Sequence, residues 1–401
     1  PPDVQLVVYS SSIEASNAEL VNARRRNIPL VHRSDIVAGF VNAANGVAVT
    51  GAHGKTTTTS LCAILATMAG LDPTVVIGGE VDFFEGNWRA GNGDVVVCEA
   101  DESDGTFLKL KPKYGILTNI DREHLDHYGD IDHVIEANRM FMNNVRGDGC
   151  LIACGDDPRI AALLAGYAPR RLTYGITAAG IDIRAVNISM DRFRTSFEAL
   201  YRGRSLGAFE LHIPGMHNVY NSMAAIALGV ELGVEIGVIR KALTLYGGAK
   251  RRFQVKGCVD EIMVVEDYAH HPTEIAATIA ACRNWPGHRI VGVFQPHRYS
   301  RTVLLREEFG RSFAGLDELI LTDLYSAAED PIDGVSTAMI YDEVLKNGQE
   351  RVRLLGREEV LPYLMKNVRP QDIVLVLGAG DIGELSDELV RALEAKKQIV
   401  V

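Results

Sequence analysis

The sequence predicts an α/β protein built from two doubly wound units, each with a mostly parallel sheet. Two observations lead to this prediction. Short runs that are apolar throughout alternate with longer helical patterns, as expected of parallel strands that helices cover on both faces. The alternation breaks at Gly247-Gly248 and then restarts, which indicates a second unit and a hinge before it.

Composition limits the possible classes of function. The chain has 401 residues, which favours two or three domains, and its 41 basic and 52 acidic residues give a net charge of −11. With 47% hydrophobic and 23% charged residues it is globular rather than disordered. The acidic balance argues against a nucleic-acid partner, and the lack of a run of about 18 apolar residues argues against a membrane span. Scattered cysteines and no signal-peptide pattern predict a cytoplasmic protein. A monomer or a homodimer is expected.

The elements follow from the periodicity of apolar residues. The first half has predicted strands at 5–9, 47–50, 95–98, 114–118 and 150–153, and helices at 18–26, 56–69 and 134–144. Residues 171–214 alternate in polarity and are predicted to be antiparallel, as an excursion or edge of the central sheet. Two helices are predicted at 219–228 and 236–246, followed by strands at 263–265, 290–294, 319–322, 352–354 and 373–377.

A glycine-rich segment follows the strand at 47–50 and begins the next helix. It is a shortened form of the phosphate-binding loop, whose backbone N–H groups and helix N-terminus bind phosphate. Lys55 would reach the β- and γ-phosphates, and the Thr56 hydroxyl would bind Mg²⁺. The alternative is a plain strand–turn–helix with a surface lysine. The predicted nucleotide-binding residues of the loop are Gly51, Ala52, His53, Gly54, Lys55, Thr56 and Thr57.

Polar side chains also follow the next two predicted strands. Glu99 ends the apolar run at 95–98, at the sheet edge where ligands of parallel sheets collect, so it is the predicted metal-binding acid. His124 follows the strand at 114–118 and would serve a second cation. The alternatives are a solvated acidic loop and an ordinary surface or core histidine. Zinc is disfavoured because no cysteine or third histidine joins His124 and His127.

Segments spread along nearly the whole chain resemble the Mur ligase family of peptidoglycan synthesis. They are GAHGKTTTT (51–59), EADESDGTFL (99–108), TNIDREHLDHY (118–128), GMHNVYNSMAAIA (215–227), GAKRRFQ (248–254), EDYAHHPTE (266–274), FQPHRYSRT (294–302) and GAGDI (378–382). They occur in family order, and the two segments at 266–274 and 294–302 resemble the alanine-adding members.

The resemblance implies three domains. Residues 1–46 are expected to be the remnant of an N-terminal, Rossmann-like UDP-binding domain, although the family's glycine-rich UDP loop has no counterpart there. Residues 47–247 are expected to form the central P-loop-type ATP-binding domain. Residues 248–401 are expected to form a Rossmann-like domain that binds the amino acid and closes on ATP. A smaller departure is Ala52, where the family usually has threonine.

The resemblance implies an ATP-dependent ligase that joins L-alanine to the lactyl carboxylate of UDP-N-acetylmuramate through an acyl phosphate. Lys55 would hold the γ-phosphate of ATP. Thr56 and Glu99 would bind a first Mg²⁺, and His124 would bind a second one.

On the nucleoside side, Asn218 and Asn221 resemble the family's adenine-binding residues, because amides both donate and accept hydrogen bonds. From the residues alone, helix caps are an alternative. Asp267 resembles the ribose contact, with Tyr268 beside it. Arg251 resembles the interdomain arginine that reaches the ATP phosphates, which leaves its neighbour Arg252 as a surface charge.

Arg298 and Arg301 resemble the pair that holds the alanine carboxylate, a task that suits the planar guanidinium. From the residues alone, two arginines in a polar turn could equally face solvent. His270 is expected to lie beside the substrate and, unless a nearby acid does so, to take the proton of the amine. His271 precedes Pro272 and could serve only to shape the turn.

The segment 378–383 spells G-x-G-x-x-G between a strand and a helix. A dinucleotide site needs an acid about 20 residues further on, and none is present there. Close packing of the last helix on the sheet is therefore the preferred interpretation. Three other functions remain open for the whole chain: a P-loop kinase, a nucleotide-gated scaffold, and a sister ligase with another amino acid or peptide.

Overall fold

Strands and helices alternate through residues 3–400, which are the residues that this computed structural model describes. Residues 1, 2 and 401, which end two of the predicted domain ranges, lie outside that description. The chain divides into two units. The first holds the residues up to Asn187, Phe197–Glu210 and Val219–Tyr246, and the second holds Ile188–Ser196, Leu211–Asn218 and the residues from Gly247 onward.

The bounds of the elements follow in chain order. The first part of the chain forms β1 (Val7–Tyr9), α1 (Ala18–Arg25), β2 (Leu30–His32), α2 (Arg33–Ala43), β3 (Asn45–Thr50), α3 (Lys55–Met68), β4 (Thr74–Val81), β5 (Gly86–Arg89), β6 (Val95–Glu99), β7 (Tyr114–Leu117), α4 (Leu125–Tyr128), α5 (Ile131–Asn144), β8 (Cys150–Cys154) and α6 (Pro158–Ala165). The middle part forms β9 (Arg171–Gly175), β10 (Ile183–Asp191), β11 (Arg194–Tyr201), β12 (Arg204–Leu211), α7 (Met216–Glu231) and α8 (Ile236–Leu245). The last part forms β13 (Gln254–Val259), β14 (Ile262–Asp267), α9 (Pro272–Cys282), β15 (Arg289–Phe294), α10 (Tyr299–Leu304), α11 (Arg306–Ser312), β16 (Glu318–Leu321), α12 (Ala338–Lys346), β17 (Val352–Leu354), α13 (Arg357–Asn367), β18 (Asp372–Leu377) and α14 (Gly383–Val400).

The larger sheet has ten strands in the order β12-β11-β10-β9-β8-β7-β3-β6-β4-β5. Its centre is parallel, because β3 pairs in parallel with both β6 and β7. The register aligns Val49 with Glu99 on one side and with Ile116 on the other. The carboxyl ends of these three strands therefore meet at one edge, where the predicted phosphate loop and metal ligands begin. Strands β1 and β2 form a separate parallel pair.

The prediction for residues 171–214 was partly wrong. Strand β9 pairs in parallel with β8, and β10 pairs in parallel with β9, so the parallel sheet extends further than expected. The meander of β10, β11 and β12 follows, with two-residue turns that join hydrogen-bonded neighbours and so require antiparallel pairing. The alternating pattern correctly predicted strands with one buried and one partly exposed face. Such a pattern carries no information about the direction of a neighbouring strand.

The six-stranded sheet of the second unit has the order β13-β14-β18-β15-β16-β17. All its pairings are parallel except that of β13 with β14. Strand β18 shows why the sequence is apolar throughout. Ile373 and Leu375 face one hydrophobic core, whereas Val374 and Val376 face another on the opposite side of the sheet.

The predicted α/β class is confirmed: a mostly parallel central sheet precedes a Rossmann-like unit, and a short βαβ segment comes before both. All six cysteines are free thiols, five of them buried and Cys258 exposed. None of the helices in the described part of the chain has the length and apolar character that crossing a membrane would need.

Candidate active site

The loop between β3 and α3 depends on two glycines with positive φ. Gly51 has φ +128° and Gly54 has φ +80°. A Cβ atom on Gly51 would lie 2.2 Å from the hydroxyl of Thr118, and one on Gly54 would lie 2.3 Å from Oδ1 of Asn221. Any larger residue would therefore clash as well as strain the backbone. Both glycines are needed for the turn that starts helix α3.

The residues that follow β7 hold this loop in place. The backbone N–H of His53 donates to Oδ1 of Asn119 at 2.8 Å, and Nδ2 of Asn119 donates back to the His53 carbonyl at 2.9 Å. The Thr118 hydroxyl donates to the same carbonyl at 2.8 Å. Nε2 of His53 lies 3.0 Å from a carboxylate oxygen of Asp121. Asn119 and Thr118 were not assigned to the site from the sequence, although their position at the end of a buried strand was a usable signal.

The first turn of α3 places a hydroxyl beside an acid. The Thr56 hydroxyl donates to Oε1 of Glu99 at 3.2 Å, and Oε2 of Glu99 accepts from the N–H of Gly78 at 2.8 Å. The N-cap residue is Gly54, which has no side chain that could cap the first N–H groups. The start of α3 thus offers backbone donors to an anion, and Thr56 with Glu99 offers oxygen ligands to a hard cation.

Lys55 lies at the centre of this group. Its ammonium donates to the carbonyls of Gly51 and Ala52 at 2.8 and 3.2 Å, and to Oε1 of Glu102 at 2.9 Å. Burial alone would lower the pKa of Lys55, but the nearby carboxylates, Glu102 foremost, outweigh burial and raise it. Lys55 is therefore a cation at any physiological pH.

His124 joins the same group through Glu102. Its backbone is left-handed, with φ +55°, and its Nε2 lies 3.5 Å from Oε1 of Glu102. Burial opposes the charged form, yet the hydrogen bond and the charge of Glu102 raise the pKa of His124 overall. The ligand atoms of Asp101, Glu102 and His124 all lie within 4.8 Å of one another.

Glu102 was not singled out from the sequence. Its side chain is only 4% exposed, and its Oε2 is buried with no hydrogen-bond partner among the described residues. It appeared in the sequence only as one member of an acidic loop. Nothing in the order of residues 99–104 distinguishes the acid that turns inward from those that face solvent.

The two predicted adenine-binding asparagines sit near the start of α7 and differ in their surroundings. Oδ1 of Asn221 accepts from the Thr58 hydroxyl at 3.2 Å and lies against Gly54, so this side chain touches the phosphate loop. Nδ2 of Asn218 donates to the carbonyl of Pro214 at 2.7 Å. Both side chains are buried, and their contact with adenine stays a prediction.

In the second unit, Asp267 ends β14 and is buried. Its Oδ2 accepts from the N–H of Phe253 and its Oδ1 from the N–H of Ala269, both at 2.8 Å. Burial raises the pKa of Asp267 to about 6, although Arg252 and the two N–H donors act in the opposite direction. One oxygen thus fixes the backbone directly after Tyr268, and the other fixes the backbone directly before β13.

Arg251 is held inside the second unit. Its Nε donates to Oε1 of Glu266 at 2.7 Å, and its Nη2 donates to the carbonyls of Gly378 and Gly380 at 2.9 and 3.0 Å. The guanidinium also lies 4.9 Å from the centre of the Tyr268 ring. Arg252 lies over the same ring at 5.3 Å. The predicted contact of Arg251 with phosphate stays a prediction, and it would require these bonds to be exchanged.

The residues that are predicted to bind the amino acid lie at the carboxyl edge of the six-stranded sheet. The rings of Tyr268 and His270 lie 5.2 Å apart, and those of His270 and His297 lie 5.7 Å apart. Nη1 of Arg301 lies 3.2 Å from Nδ1 of His297. Arg298 has φ +70°, and its Nη1 lies 3.9 Å from Oε1 of Glu329.

Two further histidines follow the same two strands, β14 and β15. His297, which the sequence analysis did not single out, stacks on Tyr325 with the ring centres 5.6 Å apart. His271 serves as the N-cap of α9, where its side chain accepts from the N–H of Thr273. Shaping this turn was the role expected of His271.

The space beside the glycines of the segment 378–383 is filled by the protein's own side chains. A Cβ on Gly380 would lie 2.4 Å from Oε1 of Gln295 and 2.6 Å from the Tyr325 ring, and one on Gly383 would lie 2.3 Å from Glu266. Gln295 also donates to Asp381 at 2.8 Å. Close packing of the last helix on the sheet was the interpretation preferred from the sequence over dinucleotide binding.

Comparison with known proteins gives two matches to family models. The Mur ligase middle domain matches residues 49–229, and the Mur ligase, glutamate ligase domain matches residues 251–380. Relatives named UDP-N-acetylmuramate–L-alanine ligase include one from Pelotomaculum thermopropionicum at 46% identity and one from Geobacter sulfurreducens at 44% identity. Each alignment covers 99% of this chain and 86% of the relative.

Solved structures of ligases are also similar to this chain. A UDP-N-acetylmuramate-alanine ligase from Thermotoga maritima has a TM-score of 0.81 and 29% identity, with 98% of this chain and 86% of that one covered. A MurF ligase from the same organism, solved in complex with ADP, has a TM-score of 0.75 and 17% identity, with 98% and 97% covered. At that identity the second likeness concerns the fold alone.

Proposed function

Since this chain belongs to the Mur ligase family, we propose that it joins L-alanine to the lactyl carboxylate of UDP-N-acetylmuramate at the expense of ATP, in peptidoglycan precursor synthesis. One observation carries the proposal: a glycine loop at the start of α3 that presents Lys55 beside Glu102 and Thr56 beside Glu99. The relatives of that name, 42–46% identical over nearly the full length, support the choice of substrates.

We propose that the parts of the chain that hold the two sheets bind different substrates. Residues 47–247 would bind ATP, with the phosphates on the loop and the base beside Asn218 and Asn221. Residues 248–401 would bind the amino acid and supply Asp267 and Tyr268 to the nucleoside. Residues 1–46 would belong to the UDP-binding part of the enzyme.

The residues present fit two Mg²⁺ ions. Thr56 and Glu99 supply oxygen ligands, which hard cations prefer. The Oε2 of Glu102 is buried close to His124 and has no hydrogen-bond partner in the described part of the chain, so it is an acceptor that a second cation would satisfy. When bound, the cations would offset the negative charge that develops on the transferred phosphoryl group.

The chemistry requires an activated carboxylate, since a free carboxylate is a poor acyl donor. An oxygen of the lactyl carboxylate attacks the γ-phosphorus of ATP, and ADP leaves with the bonding electron pair. Lys55 and the N–H groups of the loop stabilise the charge on the phosphoryl oxygens. The amine of alanine then attacks the carbonyl carbon of the acyl phosphate, and inorganic phosphate leaves.

The amino-acid side needs a cation for the carboxylate and a base for the amine. Arg298 and Arg301 follow β15 at the same sheet edge as His270, and a guanidinium binds a carboxylate through two parallel hydrogen bonds. The α-amino group of alanine must be neutral when it attacks. Nδ1 of His270 already lies 3.0 Å from the Tyr268 carbonyl, so its Nε2 is the nitrogen that would take the proton.

The proposed setting is the cytoplasm, where ATP is abundant and thiols stay reduced. The six free cysteines suit such a compartment, because oxidising compartments favour disulfides. We propose a monomer or homodimer that needs no nucleic acid or membrane partner.

The experiment is a product analysis with UDP-N-acetylmuramate and a panel of amino acids. We expect ADP, inorganic phosphate and an alanylated product in equal amounts, and only when ATP, the sugar nucleotide and L-alanine are all present. A stable phosphorylated product without an amine acceptor would indicate a kinase. Preferred turnover of a different amino acid or a peptide would indicate a sister ligase, and either result would overturn the proposal.

A further inference from the structure

The carboxylate of Glu102 is the buried junction of the phosphate-loop group. One of its oxygens, Oε1, accepts from the Lys55 ammonium at 2.9 Å and lies 3.5 Å from Nε2 of His124. The other oxygen, Oε2, is buried without a hydrogen-bond partner among residues 3–400. The side chain is 4% exposed, so water reaches it poorly.

The position of Glu102 is fixed by its own backbone. Its carbonyl accepts from the hydroxyl of Tyr128 at 2.6 Å and from the N–H of Gly105 at 3.1 Å. The carboxylate is therefore held at this place by the loop and α4, rather than drawn inward by Lys55 alone. A fixed, buried and incompletely satisfied carboxylate is costly unless a ligand completes its coordination.

The surrounding atoms suit a divalent cation. Asp101, Glu102 and His124 each bring one ligand atom within 4.8 Å of the others, and carboxylate oxygen with imidazole nitrogen is a donor set that Mg²⁺ and Mn²⁺ accept. In this structure the Lys55 ammonium is paired with Glu102, although the proposed reaction needs it to stabilise the phosphates of ATP. A single exchange would meet both needs.

We propose that Glu102 is a direct ligand of the second divalent cation, together with His124, and that it exchanges Lys55 for this cation when the nucleotide binds. The inference rests on the proposed binding of ATP at the loop. In the nucleotide-free protein Glu102 is the counter-ion of Lys55. In the loaded protein the ammonium turns to the phosphates and the carboxylate turns to the cation, so that each charge remains paired throughout.

The test is a count of Mn²⁺ by electron paramagnetic resonance in the presence of a non-hydrolysable ATP analogue. We expect two sites in the wild type. Glu102→Gln keeps the shape of the side chain and removes its charge, so the affinity of one site should fall at least about tenfold while the other stays unchanged. Glu102→Asp keeps the charge beside Lys55 but shortens the side chain, and it should show the same selective loss of affinity. It replaces Glu102→Gln in the test if that variant fails to fold.

The matched control is Asp104→Asn, which removes a charge from the same loop. Asp104 is already satisfied by Ser11 and by the N–H and hydroxyl of Thr106, so both Mn²⁺ affinities should be retained. A single Mn²⁺ site in the wild type, or wild-type affinities in both Glu102 variants, would overturn the inference. Alanine ligation by the wild type reports on the proposed function separately, so the two failures are distinguishable.

Discussion

Lys55 and Glu102 form a pair whose two roles can be separated by mutation. Lys55→Met should lower ATP-dependent phosphate release by about a hundredfold to a thousandfold, because a donor to the developing charge is lost. It should also destabilise the protein by about 3–5 kcal/mol, since Glu102 would stay buried without its cation. Phosphate release and urea unfolding measure the two effects.

The double variant Lys55→Met/Glu102→Gln serves as the control for that prediction. It removes both charges, so stability should return toward the wild-type value while phosphate release stays lost. Normal turnover in Lys55→Met would contradict the assignment of the loop to phosphate.

Asp156, which follows β8, gives a prediction about pH. Its carboxylate accepts from the N–H groups of Ile176, Thr177 and Ala178 and from the hydroxyl of Tyr220, and these bonds outweigh burial and lower its pKa below 3.8. A lowered folded-state pKa adds stability that is present above 3.8 and is lost as the pH falls through the folded value.

Asp156→Asn should therefore cost about 1–3 kcal/mol at pH 7, and the difference from the wild type should shrink below pH 3.8. Denaturant unfolding at several pH values measures this. Asp191→Asn, at the exposed end of β10, is the control and should leave stability at pH 7 nearly unchanged. A pH-independent cost for Asp156→Asn would mean that its packing, and not its charge, stabilises the turn.

At the scale of single residues, the sequence predicted which side chains lie near the phosphate loop better than it predicted what those side chains contact. Lys55, Thr56 and Glu99 were predicted to lie together because a glycine loop and a strand end mark their places, and the structure brings them together. Glu102 was not found, because its inward orientation depends on how Tyr128 and Gly105 fix the loop. Arg251 donates to Glu266, a contact that sequence spacing cannot show, and its expected contact with phosphate stays a prediction.

Among the elements, the turn into α3 is the one whose geometry is most restricted. Gly54→Ala should lower both stability and nucleotide affinity, since its Cβ would meet Asn221 at 2.3 Å in a left-handed backbone. Gly70→Ala is the matched control, because Gly70 has φ +75° but nothing within 4 Å of its added Cβ. Calorimetric melting and equilibrium binding of an ATP analogue measure the difference.

The control should show only the strain of a left-handed alanine, about 1–2 kcal/mol, with nucleotide affinity retained. The excess loss in Gly54→Ala is then the effect of the clash. Equal losses in the two variants would show that Asn221 gives way easily.

The connection between β13, β14 and the segment after β18 depends on Arg251. Arg251→Ala should destabilise the second unit by about 1–3 kcal/mol, because Glu266 and two carbonyls lose a donor. Arg252→Ala should cost less. If Arg251 also touches phosphate, its variant will lose ligase turnover at temperatures where it remains folded, whereas a purely structural role will leave turnover intact there.

Secondary structure was predictable where burial is complete on both faces. The apolar runs of β3, β6, β8 and β18 were found at nearly their observed bounds. Strands β4, β5 and β13 were not predicted, because a partly exposed strand with glycines, such as Thr74–Val81, lacks a continuous apolar run. The parallel pairing of β9 was missed because pairing direction depends on distant residues.

Considered as a whole, the molecule has two units with separate cores. We expect scanning calorimetry to resolve two transitions, since units of this size can unfold independently. An ATP analogue with Mg²⁺ should raise the transition that Gly54→Ala lowers. Arg251→Ala should lower the other one. A single transition that every variant shifts equally would show that the units unfold together.

The hydrogen bonds from Thr118 and Asn119 to the phosphate loop have one more consequence. Because the loop is already ordered by the neighbouring strand end, an arriving nucleotide does not have to organise it, and little conformational entropy is lost on association. The backbone of the loop should then change little when the nucleotide binds, so that the rearrangement is confined to side chains such as Lys55 and Glu102, and nucleotides should differ mainly in their dissociation rates.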